Sequence, residues 1–73
     1  MSVVRKRSVT IRGHRTSFSL EQPFFDDLCA IAASRGVTLA ALVAEIDGRP
    51  RGANLSSALR IFVLDHAKRQ VQA

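Results

Sequence analysis

Residues 15 to 20, Arg-Thr-Ser-Phe-Ser-Leu, alternate strictly and run straight into a helical pattern, and this junction constrains the chain more than any other feature. Side chains in an extended strand alternate faces, so Thr16, Phe18 and Leu20 share one side while Arg15, Ser17 and Ser19 share the other. One face is fit for burial. The other is small, hydroxylated and basic. Everything after Glu21 reads as helix, so the strand has no pairing partner C-terminal to it. A lone strand leaves its backbone groups unpaired and is not stable by itself. It must pair with the segment before it or with a second copy of the chain.

The preceding segment offers one candidate. Ser8-Val9-Thr10-Ile11 also alternates, and Arg12-Gly13-His14 could turn it back onto residues 15 to 20 as a hairpin. Alternatively, residues 5 to 14 form a flexible basic arm, with residues 1 to 5 frayed. Both readings stay open on sequence alone.

Size favours a partner chain. Seventy-three residues make one small domain, 1–73, and chains this short often need a staple, a metal or an oligomer. Cys29 is the single cysteine, which excludes an intrachain disulfide and a cysteine-based zinc site. His14 and His66 lie far apart without ligand-type neighbours, so neither a metal nor a cofactor is expected. Oligomerisation is the remaining route. A hydrophobic content of 47% argues against disorder. No apolar run is long enough to span a bilayer, and Val3-Val4 is followed at once by Arg5-Lys6-Arg7, unlike a signal peptide. A cytoplasmic chain with no membrane partner is the expectation.

The net charge is +5, and its placement says more than its size. Residues 1 to 20 carry Arg5, Lys6, Arg7, Arg12 and Arg15 and no acid, whereas the rest of the chain is formally neutral. Concentrated positive charge attracts a polyanion, and counterion release on phosphate neutralisation is the usual source of nucleic-acid affinity. A solubilising basic tail would have the same composition. Fusion of that charge to a polar-faced strand tips the reading towards DNA.

The remainder reads as three helices. Pro23 suits a first turn, and Phe24, Phe25, Leu28, Ile31 and Ala32 form a 3.6-residue stripe over helix 22–35, with Asp26 and Asp27 on the water side. Arg35-Gly36 ends it. Thr38 is a good N-cap for a second helix, 38–47, with Leu39, Leu42, Val43 and Ile46 apolar. Residues 47 to 52 are a loop by composition. Asn54 or Ser56 caps a third helix, 54–70, with Leu55, Ala58, Leu59, Phe62, Val63 and His66 at helical spacing.

Strand, helix, Gly36-Val37-Thr38 turn, helix resembles the order of the ribbon-helix-helix family of DNA-binding proteins. Residues 15–20 match its ribbon, 23–35 its first helix and 39–47 the start of its second. The segment Gly-Ala-Asn-Leu-Ser-Ser-Ala-Leu-Arg, residues 52–60, is similar to a small bacterial subfamily with an extended C-terminus. Two departures stand out: the second helix is broken at 48–52, and residues 1–14 extend the N-terminus. Residues 54–60 also resemble the start of a family second helix, although spacing after the ribbon favours Thr38 for that role.

The resemblance implies a mostly α fold with a short strand, built as an intertwined homodimer around an intermolecular two-stranded antiparallel ribbon, plus a third helix. It implies sequence-specific binding of double-stranded DNA by a transcriptional repressor or regulator, with the ribbon in the major groove. Arg15, Ser17 and Ser19 would then face bases. Arg5, Lys6, Arg7, Arg12 and His14 would face phosphates, as would the helix N-terminus at Thr38 and Leu39. Phe18, Leu20, Phe24, Leu28 and Leu42 would form the dimer core. The alternative is an antitoxin-like interaction module that docks a protein partner through the third helix. No nucleophile–base arrangement or phosphate loop points to an enzyme. Cys29 reads as a small buried hydrophobe, His66 as packing, and Arg49, Arg51 and Arg60 as solvated.

Overall fold

Strand alternation extends well beyond residues 15 to 20. The computed structural model describes residues 3–49 and 54–71. Strand β1 spans Val4–Ile11 and β2 spans His14–Glu21, with only Arg12 and Gly13 between them. Both connecting residues have positive φ, 51° and 80°, the pattern of a type I′ turn, whose twist matches that of the strands it joins. The strands pair antiparallel, from Val4 opposite Glu21 to Ile11 opposite His14. Residues 8 to 11 are therefore strand, and the flexible-arm alternative is set aside. The strand starts at Val4, within a stretch expected to fray. Within one chain the sheet has two strands.

Helix α1, Gln22–Arg35, follows β2 without a break, with Pro23 in its first turn. It ends at Gly36, whose φ of 70° is left-handed. The Gly36 and Val37 amides donate back to the Ala33 and Ala32 carbonyls at 3.1 and 3.0 Å, the two bonds of a Schellman cap. The path then bends by 102° into α2, Leu39–Asp47. Thr38 caps α2 as its side chain predicts, its Oγ1 accepting from the Ala41 amide at 3.0 Å. Helix α3, Leu55–Val71, is capped by Asn54, whose Oδ1 accepts from the Ser57 amide at 2.9 Å. Of the two cap candidates Asn54 has the role, and Ser56 is used elsewhere. Of the loop predicted at 47–52, Asp47 ends α2, and residues 50–52, Arg51 among them, lie outside the described residues.

All four structured layers converge on one core. Phe18 and Leu20 of β2 meet Leu28 and Ile31 of α1, Leu42, Val43 and Ile46 of α2, and Leu55, Leu59 and Val63 of α3. The side chains of Leu20, Leu28, Leu42, Val43 and Leu59 are fully buried. Burying each of them contributes roughly 1.5–3 kcal/mol relative to exposure. Phe18, Leu20, Leu28 and Leu42, expected as a dimer core, thus close a core within a single chain. Phe24 differs from them: it is half-buried and packs at the margin. No single helix among the described residues is long and apolar enough to cross a membrane.

Candidate nucleic-acid interface

The pairing register sorts the hairpin into two faces. On the core side lie Arg7, Val9 and Ile11 of β1 with Thr16, Phe18 and Leu20 of β2. On the opposite side the cross-strand pairs are Lys6 with Ser19, Ser8 with Ser17, and Thr10 with Arg15. All six are cations or hydroxyls, and five are exposed, with Ser19 half-buried. Between Lys6 and Ser19 this face carries no carboxylate and no apolar side chain. Arg15, Ser17 and Ser19 stand together on it as the alternation predicted. Ser8 and Thr10 join them, which the sequence reading missed because the partner strand was unsettled.

Two hydroxyl contacts organise this surface. The Arg15 Nε donates to Ser8 Oγ at 3.1 Å across the strands. The Ser19 amide, on the β2 edge away from β1, donates to Ser56 Oγ of α3 at 2.9 Å. Backbone direction repeats every two residues, so Arg15 and Ser17 present their amides along the same edge. Two residues beyond Ser19, Glu21 accepts from Arg60 Nε at 2.9 Å, so Arg60 is an ion-pair partner of β2 and not a merely solvated residue. That bond holds the Glu21 carboxyl below the usual carboxylate range. Helix α3 thereby lies against the open edge of β2 near its end.

The basic residues divide by face. Lys6 points outward and is exposed, and Arg12 is exposed at the turn. Arg5 and His14 are exposed but belong to the core-side rows by register, opposite Leu20 and Ile11. Arg7 departs furthest from its expected place at the phosphates. Its guanidinium stacks on the Phe25 ring at 3.6 Å from the centroid, and its Nη2 donates to Gln22 Oε1 at 2.7 Å. Among the described residues its buried Nε has no hydrogen-bond partner. Strand alternation is the cause: Lys6 and Arg7 are adjacent, so one must turn inward. Arg7 fastens the hairpin to α1 and is not available to a polyanion on the outer face.

At the other candidate position, Thr38 is exposed, and Leu39 and Ala40 are half-buried at the first turn of α2. The Thr38 cap takes the Ala41 amide and leaves those of Leu39 and Ala40 as the opening donors of the helix. Arg49 is exposed, as expected, and also paired: it donates to Glu45 at 3.0 Å, and Arg35 meets the same carboxylate at 3.5 Å, with both guanidinia over Phe62. Burial pushes the half-buried Cys29 thiol above its usual range, which suits a packing residue.

A family model of the ribbon-helix-helix domain matches residues 4–67, which covers both strands and most of α3. The chain belongs to the ribbon-helix-helix family. No curated protein and no solved structure matches it. Ribbon-helix-helix proteins are generally DNA-binding transcription regulators that act as dimers, and theirs is a regulatory fold, not a catalytic one. In this ribbon-helix-helix chain β1 pairs with β2 and the third helix closes the core, and β1, β2 and most of that helix lie within the matched residues.

Proposed function

We propose that this protein is a sequence-specific DNA-binding repressor or regulator that works as a homodimer and places its β-ribbon in the major groove. The observation that carries the reading is the outer face of the hairpin, where Lys6, Ser8, Thr10, Arg15, Ser17 and Ser19 offer only cations and hydroxyls. The major groove is wide enough for a two-stranded ribbon, and its base edges are hydrogen-bond donors and acceptors. In the dimer, two β2 strands meet along the Arg15 to Ser17 stretch of that edge, ahead of the part that α3 covers at Ser19 and Glu21, with Arg15, Ser17 and Ser19 of each chain towards bases. Lys6, Arg5, Arg12 and His14 flank them at phosphates, and the Leu39 and Ala40 amides seat one phosphate more.

The test pairs sedimentation with titration of a preferred duplex selected from a random pool. A dimer is expected, and Arg15→Ala costs about 1–3 kcal/mol on the selected duplex while changing random-DNA affinity little. Equal losses on both duplexes would remove the base-reading role of Arg15.

A second reading has one observation in its favour. Ile61 and Leu64, 53% and 48% exposed, lie three residues apart on the outer face of α3. As an adaptor, the protein would dock a protein partner there. Truncating α3 is not the test, because Leu55, Leu59 and Val63 belong to the core. Ile61→Glu with Leu64→Glu keeps the fold, and loss of a co-purifying partner with DNA binding intact would favour this role.

A further inference from the structure

Ser8 has no assigned part in base or phosphate contact, yet its hydroxyl accepts from Arg15, the arginine of the six outer-face residues. Arg15 Nε lies 3.1 Å from Ser8 Oγ. Ser8 is opposite Ser17, and Arg15 is opposite Thr10, so the bond runs diagonally across the two strands. Lys6, Ser8, Arg15 and Ser17, with Arg7, line a shallow depression of about 340 Å³. An arginine on an open strand face samples many rotamers, and fixing one costs entropy at the moment of binding. A bond at Nε settles that orientation beforehand. It also selects which part of the guanidinium is turned to the ligand: with Nε committed to Ser8, the two terminal nitrogens form a planar fork. That fork matches the O6 and N7 acceptors on the major-groove edge of guanine.

We propose that Ser8 is the positioning residue that makes Arg15 a guanine reader, so that the preferred DNA site carries a guanine facing Arg15. This rests on the DNA-binding reading above and adds to it a residue from β1, outside the ribbon strand itself. Lysine is a poorer replacement for Arg15, because an ammonium can reach O6 and N7 but has neither the Nε bond nor the rigid planar fork.

The experiment uses the full chain and the duplex selected by the wild-type protein, with each guanine replaced in turn by 7-deazaguanine, which lacks the N7 acceptor. One such replacement should weaken the wild type about tenfold, as loss of half a bidentate contact does. For Ser8→Ala the same replacement should cost no more than about twofold, with random-DNA affinity and melting midpoint unchanged. Ser8→Thr, which keeps the hydroxyl, should restore the full penalty, and Arg15→Ala, which removes the contact, should abolish it. An undiminished penalty in Ser8→Ala would overturn the positioning role while leaving DNA binding intact. A wild type that binds no duplex at low salt would overturn the DNA reading, and this inference with it.

Discussion

Leu20 is the residue on which the two halves of the fold meet: fully buried, it lies one position before the end of β2 and belongs to the core to which all three helices contribute. Leu20→Ala leaves a cavity that a small core cannot collapse around, and it should lower stability by about 2–5 kcal/mol in urea unfolding. Its neighbour Glu21 predicts a pH response. The Arg60 bond lowers the Glu21 carboxyl in the folded chain, so the folded state holds fewer protons there than the unfolded one. The stabilisation is fully present above the unfolded value, about pH 4.3, and is lost as the pH falls through the folded one. Glu21→Gln should be less stable than the wild type at neutral pH, and thermal unfolding should show the gap closing in acid. Alternation alone separated Phe18 and Leu20 from Arg15 and Ser17. It did not separate Lys6 from Arg7, because the inward row of β1 opens with arginines and its apolar members, Val9 and Ile11, come only after them. The pairing of Glu21 with Arg60 spans 39 residues of sequence, and nothing local announces it.

At the scale of elements, the three helices were legible almost to the residue. Pro23, Gly36, Thr38 and Asn54 each act through local backbone chemistry that holds in any surroundings. Strand β1 was not, since Arg12-Gly13 is a weaker turn signal than Asn-Gly and the strand's composition is that of a basic tail. The part of Ser56, predicted as a cap and found on the β2 edge, depends on how α3 docks. The Gly36 cap gives the cleanest check of the helix boundaries. A Cβ there meets nothing within 4 Å, so the effect of Gly36→Ala is purely conformational. It should cost about 1–2 kcal/mol in thermal unfolding, and Gly36→Asn less, because asparagine tolerates the left-handed region.

The whole molecule is a neutral helical body carrying a cationic hairpin, and a single chain closes its core without a partner. In the proposed dimer, pairing of chains is thus freed from the task of burying Phe18 and Leu20 and serves recognition by doubling the reading face. The central claim is that this face reads DNA. The most direct test is a fluorescence anisotropy titration of the wild-type protein against its selected duplex and a scrambled one, between about 50 and 200 mM salt. The account predicts that affinity falls linearly with salt on logarithmic axes for both duplexes, with the selected duplex bound more tightly throughout. Equal affinity for the two duplexes, or no binding at the lower salt, would contradict it.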